Sequence, residues 1–495
     1  MKNNYLGQKG YSIYKNNLSI EEQNNIRKEL LVQPIIPKSP VKPESFPIYL
    51  ESPEKIYVPR YYGITKYGIP EIKITAGDDI NLKFNGTLRD YQSIIVDKFI
   101  KSVTKSPAEG GGLIDLPCGR GKTVIGIKIL ISLKKKTLII VHKEFLLNQW
   151  IERINEFCPE AKIGLIQGQI IDIEGKDIVI GMLQSLSMKE YPQDQFKSFG
   201  FTIFDECHHI SSETFSRAMQ KIVTQYTLGL SATMNRKDGL TKVFKLFLGE
   251  IVYKEKREDD GNVLVKAIYY KNNDDEFNTI EYDFRGNPKY STMISKISDF
   301  NNRSEFLIKI IENEFILNND QQILFLAHRK SLLNYIFKAL EHRNIASVGY
   351  YIGGMKEKDL KESETKKVIL ATYQMAEEGL DIKTLSTLLL SSSKTDIVQA
   401  VGRILRIKHK NPLIIDIVDM HDIFQNQFNK RRSYYIKNKY KIITTDNNLY
   451  LQNNYKINYD PSIQESKTNS KTNSKTNNKT DNKTDKSICL IDINF

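Results

Sequence analysis

Between Leu88 and about Gly249, short runs of consecutive apolar residues alternate with stretches whose apolar residues recur at helical spacing. The runs are GGLIDL, KTLIIV, DIVIGM, FTIFDE and YTLGLS, and the spaced stretches include DYQSIIVDKFI and KEFLLNQWIERINEF. Strands covered on both faces of a parallel sheet read as unbroken apolar runs, and helices between them supply the crossovers. The pattern predicts an α/β domain over 81–250. It lapses over 251–300, a charged, Asn/Asp-rich stretch expected to be a linker or excursion. It resumes with QQILFLAH, ASVGYYIG, KVILATY, LSTLLLSS and NPLIIDIVD, which predict a second parallel-sheet domain over 301–440. Residues 1–80 are polar and proline-punctuated. The alternating aromatic stretch KIYVPRYYGI there predicts one or two strands of a small accessory module. Residues 441–495 run into SKTNSKTNNKTDNKTDKS and are expected to be a polar, mostly disordered tail. On that reading a chain ending near Asn458 keeps its fold.

At 495 residues the chain exceeds one ordinary core, in line with two domains. The net charge of +13 favours a polyanionic partner, nucleic acid, over an acidic protein, although part of it lies in low-complexity sequence. Cys118, Cys158, Cys207 and Cys489 show no C-x-x-C spacing, so neither a zinc ribbon nor a disulfide framework is expected. No apolar stretch has the length of a signal-peptide core or a membrane span, which predicts a cytoplasmic or nuclear protein with no membrane partner.

The chemistry concentrates in GGLIDLPCGRGKTVIGIKIL, residues 111–130. A strand, a loop of Pro117, Cys118, Gly119, Arg120 and Gly121, and then Lys122 and Thr123 opening a helix form the setting of a phosphate-binding loop. Gly119 and Gly121 let backbone N–H groups and the helix N-terminus face an anion. Lys122 is placed to reach the β and γ phosphates, and the Thr123 hydroxyl to ligate Mg²⁺. Leu116 stands where the strict G-x-x-x-x-G-K-[ST] pattern has glycine. In FTIFDECHH, Asp205 and Glu206 follow an apolar strand. Asp205 would hold Mg²⁺ through water, and Glu206 would orient and deprotonate the attacking water. Alone, such a pair can also be an ordinary helix cap; with Lys122 and Thr123 it completes a phosphate-and-metal set. In LGLSATMNRKDG, Ser231 and Thr233 follow a further strand. DIVQAVGRILR puts Gln399, Arg403 and Arg406 on roughly one helix face, where the arginines are either solvated or delivered to a γ-phosphate when two domains close. Cys118, beside a helix N-terminus, is a candidate for a lowered thiol pKa.

LPCGRGKT, DECHH, LGLSATMNRKDG and QAVGRILR, in this order, resemble the motor core of superfamily 2 helicases over residues 88 to about 420. The resemblance implies two tandem RecA-like α/β domains and Mg-ATP hydrolysis coupled to movement on, or strand separation of, nucleic acid. The alternative is a nucleic-acid-gated ATPase switch or remodelling subunit of a transcription complex. The resemblance further implies that Arg89 and Gln92 in LRDYQ recognise adenine, and that His208 links the nucleotide to Ser231 or Thr233. By the same likeness, Gly379 and Asp381 couple nucleic acid to nucleotide, and Arg403 and Arg406 are arginine fingers beside Gln399. Segments 138–150 and 180–186 would touch nucleic acid. In that family the departure at Leu116 is unremarkable.

The finer features are similar to the XPB-like branch and to the transcript-release helicases of poxviruses and annealing helicases of phages. That likeness implies DNA ahead of RNA, transcription or repair machinery as partners and a core active as a monomer. The composition and the Asn/Lys repeats suit a large DNA virus as source, with the viral factory or virion as location. D-E-C-H with S-A-T also resembles RNA-directed members, so the polynucleotide stays open. No base-reading module is visible, so contacts should run through phosphates with a steep salt dependence.

Overall fold

The computed structural model describes residues 3–34, 43–117, 119–192, 194–207, 213–232, 234, 241–255, 262–378, 380, 382–405 and 409–463. Cys118, His208, Thr233, Gly379, Asp381, Arg406 and the chain beyond 463 lie outside these residues.

Two eight-stranded sheets dominate the described residues. The first runs in the order Ile170–Ile171, Ile163–Gln167, Ile178–Met182, Thr137–Val141, Phe201–Phe204, Tyr226–Ser231, Gly111–Asp115, Ile251–Lys254. All neighbours are parallel except the hairpin at its Ile170 edge. Gly111–Asp115, Thr137–Val141 and Phe201–Phe204 are buried along their whole length, which is why they read as unbroken apolar runs. One face carries the helices Asp90–Val103, Lys122–Leu133 and Glu144–Phe157; the other carries Leu183–Met188, Glu213–Lys221 and Thr241–Leu248.

The second sheet runs Val348–Tyr351, Val368–Thr372, Ile323–Ala327, Thr387–Leu390, Leu413–Asp419, Leu264–Tyr270, Lys441–Asp446, Lys456–Tyr459, parallel except at the last pair. This order corrects two expectations. The segment 251–300 supplies Ile251–Lys254 to the first sheet and Leu264–Tyr270 to the interior of the second. It also supplies the helix Tyr290–Asp299, whose Met293, Ile294 and Ile297 are buried. Short apolar stretches there were masked by the charged residues between them. The segment 441–495 likewise begins as sheet. Lys441–Asp446 is buried at only two of its six positions, so its sequence lacks an apolar run. Lys456–Tyr459 closes the edge, and Lys441 pairs with Asp460 at 2.7 Å. A chain ending near Asn458 would therefore cut a strand.

The amino-terminal segment forms a five-stranded sheet, Leu50–Glu51, Lys55–Val58, Gly10–Tyr14, Tyr5–Gly7, Glu71–Ile72, rather than one or two strands. Its inner face, with Tyr11, Ile13, Ile56 and Val58, is buried among residues that include Ile26 and Tyr62 of its two helices and Val243 of the first domain. Tyr61 Oη accepts from Gly111 N at 2.7 Å and donates to Gly111 O at 3.0 Å. The buried Arg60 donates to the carbonyls of Ala108, Thr224 and Gln225. Gly111 and Tyr226 begin their strands, so the module seats on the end of the first sheet opposite the loop 116–121.

Candidate nucleotide site

The loop after Gly111–Asp115 turns back through two left-handed glycines, Gly119 (φ 83°) and Gly121 (φ 74°), and Gly121 caps the helix Lys122–Leu133. The left-handed φ favours glycine at 121, and a Cβ there would stand 2.5 Å from Gln92 Nε2 and push that side chain aside. Gln92 Nε2 and Tyr91 Oη both donate to Arg120 O, at 3.3 and 3.2 Å, and Gln92 Oε1 accepts from Arg89 N at 3.0 Å. The LRDYQ segment is thus tied to the loop. Arg120 lies 5.0 Å over the Tyr91 ring and pairs with Glu255 at 2.5 Å. Leu116 N donates to Ser231 O at 2.9 Å, joining the loop to the Ser-Ala-Thr strand end.

Asp205 and Glu206 follow Phe201–Phe204, in the middle of the sheet and beside the loop strand's neighbour. Lys122 Nζ donates to Glu206 Oε1 at 2.7 Å, a pair with little exposure on either side chain. Glu206 holds a left-handed φ of 48°, a conformation that costs a non-glycine residue about 1 kcal/mol and clusters at functional sites. Asp205 is buried. Its Oδ2 accepts from Trp150 Nε1 at 2.9 Å, and its Oδ1 from Glu206 N at 3.0 Å. Burial, and then the Glu206 charge, push its carboxyl up to about 6 against the opposing pull of Lys122 and the indole. Cys207 is fully buried, 3.9 Å from Met234 Sδ, and burial raises its thiol well above the ordinary range, so it packs as a neutral group.

The sequence pattern gave neither Trp150 nor Glu255 a place at the nucleotide site. Trp150 sits on the apolar stripe Leu146, Leu147, Trp150, Ile154 of Glu144–Phe157 and reads as core. The available signal was that a buried indole N–H needs an acceptor.

The second domain is brought to the first where Glu144–Phe157 meets Glu357–Ser363. Asn148 Nδ2 donates to Glu357 Oε2 at 3.1 Å, and Lys361 pairs with Glu152 at 2.5 Å, beside a cleft of about 590 Å³. Arg403 is buried. Its Nε and Nη1 donate to the carbonyls of Ala376 and Leu380 at 2.8 and 2.9 Å. Two of its donors are thus committed inside the second domain, and the half-buried Gln399 lies on the same helix. The loop, Lys122, Asp205, Glu206 and Ser231 converge, while Arg403 donates to carbonyls of its own domain.

Residues 85–236 match the family described as type III restriction enzyme, res subunit, and residues 302–408 match the helicase conserved C-terminal domain. A protein of Acanthamoeba polyphaga mimivirus named "Putative ATP-dependent RNA helicase L396" is 37% identical over 448 residues, covering 88% of this chain and 85% of its own. The chain is a superfamily 2 helicase. It is related to viral and XPB-like helicases and is an ATP-hydrolysing nucleic-acid helicase or translocase. The "DNA 3'-5' translocase XPB2" of Sulfurisphaera tokodaii is 27% identical over 378 residues, 67% of this chain and 81% of that one. A single-residue variant of S. cerevisiae Dbp5 bound to RNA and ADP BeF3 covers 72% of the helicase and 91% of its own chain, with 13% identity and a TM-score of 0.51, a likeness of fold. No described helix of the helicase is long and apolar enough to cross a membrane.

Proposed function

We propose that this helicase binds Mg-ATP on the loop 117–123 and uses Glu206 to activate water. The observation that carries the reading is the Lys122–Glu206 contact at 2.7 Å beside the indole-held Asp205. A nucleotide's phosphates compete with Glu206 for Lys122, and a carboxylate released from its lysine is the better base. Thr123 and Asp205 would hold Mg²⁺, which supplies charge neutralisation at the phosphates. A buried carboxylate raised to about 6 fits that role, because a cation relieves what burial costs it. Gln92, anchored to the loop carbonyl through Nε2, and Arg89 would read the adenine. Arg403 and Arg406 would reach the γ-phosphate beside Gln399 once Arg403 leaves the carbonyls of Ala376 and Leu380. That requirement makes hydrolysis depend on a closed arrangement, with His208, Ser231, Thr233, Gly379 and Asp381 relaying it.

The polynucleotide that stabilises closure is DNA, within transcription or repair machinery. The S-A-T-x-x-R-x-D-G run and the match to a protein named a DNA translocase support this; the mimivirus relative's name favours RNA. Single-stranded DNA, duplex DNA and RNA, compared as activators of ATP hydrolysis at equal nucleotide concentration, decide. DNA should raise turnover well above the protein alone. Activation by RNA only would reverse the assignment of substrate.

A further inference from the structure

We propose that the outer face of the amino-terminal sheet is a second polynucleotide-binding surface, where unpaired bases stack on Tyr5, Tyr14 and Tyr57 while Lys9, Lys55 and Lys73 meet the phosphates. The inference rests on the motor reading in one respect: a single strand must be present to be bound.

Register places these residues together. Tyr5 lies opposite Ser12 and Ser12 opposite Tyr57, and Tyr14 lies opposite Lys55. Their alternates Tyr11, Ile13, Ile56 and Val58 fill the inner core, so the tyrosines share the outer face. Among the described residues, the module's two α-helices pack on the inner side, contributing Ile26 and Tyr62 to that core. The rings stay half-buried rather than sealed. Tyr5 and Tyr14 have centroids 6.1 Å apart. Lys55 Nζ is 5.3 and 5.0 Å from those two rings, Lys73 Nζ is 4.8 Å from Tyr5, and Lys9 Nζ is 5.4 Å from Tyr57. The nearby carboxylates Glu51 and Glu71 lie in the two edge strands, each within ion-pair reach of a lysine.

Aromatic rings interleaved with ammonium groups are the chemistry that holds single strands without reading sequence, since every base offers a π face and every link a phosphate. Position agrees with chemistry. A groove of about 510 Å³ runs from Gln8 and Lys9 to Met188, Arg217 and Lys221 on the first domain. It begins where the segment 180–186, expected to touch nucleic acid, ends. A strand leaving the motor there passes Lys9 and reaches the sheet.

The test uses the full chain without nucleotide and fluorescent oligothymidine and oligouridine, read by anisotropy at low and high salt. The triple variant Lys9→Gln, Lys55→Gln, Lys73→Gln should bind about tenfold more weakly at low salt. Its slope of log affinity on log salt should shrink by about 2, because each phosphate contact on a single strand contributes about 0.7. Melting temperature and basal ATP hydrolysis should not change. Tyr57→Ala should weaken binding by roughly fivefold or more at both salts, since stacking is not screened, and Tyr57→Phe should restore it. Loss on either oligonucleotide or both supports the surface and names its strand chemistry. An equal loss on a blunt duplex would overturn stacking. Unchanged affinities, with the parent protein still binding, would overturn the inference and leave the motor reading intact. A parent protein that binds no polynucleotide would sink the motor reading itself.

Discussion

Asp205 is kept where its charge is unwelcome. With its carboxyl raised to about 6, it is neutral in the folded protein at pH values where the unfolded chain has already ionised it. The stability cost is therefore absent below about pH 4, the ordinary range of the unfolded group, grows as pH rises, and is complete above about 6. In EDTA, Asp205→Asn should melt a few degrees above the parent protein at neutral pH, with the gap closing toward pH 4, while ATP hydrolysis is lost. A gap independent of pH would show that ionisation of Asp205 is not what costs the stability. Trp150, the chain's one tryptophan, donates to the same carboxylate. Its emission should change when Mg-ATP is added to the parent protein and stay constant in Lys122→Ala.

Acidic residues inside apolar strands mark a second kind of contact at the scale of elements. In LIIDIVD, Asp416 and Asp419 are completely buried. Arg431 grips Asp416 through Nε and Nη2 at 2.8 Å each, with Tyr435 Oη at 2.9 Å, and Arg303 grips Asp419 at 2.6 and 2.8 Å. Both arginines also donate to the 391–394 turn, through Ser391 O, Ser393 Oγ and Lys394 O. Removing one arginine leaves a buried charge alone, a loss of about 3 to 5 kcal/mol.

At the edge of that sheet, a chain ending after Ile463 should melt with the parent protein. One ending after Lys439 strips Tyr440, Ile442 and Tyr450, all fully buried, and should melt several degrees lower in a thermal scan. Equal melting of the two truncations would show that Lys441–Asp446 contributes nothing. The strands that were legible in the sequence are those buried on both faces, such as Thr137–Val141 and Ile323–Ala327. Of the amino-terminal strands only Lys55–Val58 was legible, and Lys441–Asp446 was not, because a half-buried strand and an open sheet face carry lysine, threonine and tyrosine. The nucleotide loop was legible since glycine, lysine and hydroxyl sit at fixed offsets in one segment. Trp150 comes to Asp205 across the fold, and no local spacing announces it.

Across the whole molecule, the first and second domains touch through side chains that a nucleic acid would contest. Asn148 belongs to the segment 138–150 expected to meet nucleic acid, yet it donates to Glu357, and Glu152 one turn on holds Lys361. On the proposed reading, phosphates entering there would compete with the carboxylates for these contacts, and closure would follow binding. Release of Lys122 from Glu206, and of Arg403 from the Ala376 carbonyl, would be part of the same closure. The most direct test is steady-state ATP hydrolysis of the parent protein and of Glu206→Gln, with and without saturating polynucleotide, beside nucleotide binding measured on each. The parent should be slow alone and strongly stimulated. Glu206→Gln should still bind Mg-ATP and polynucleotide while its stimulated turnover falls on the order of 100-fold or more. Near-normal turnover in Glu206→Gln, or a parent already at full speed without polynucleotide, would contradict a motor whose base is Glu206 and whose trigger is nucleic acid.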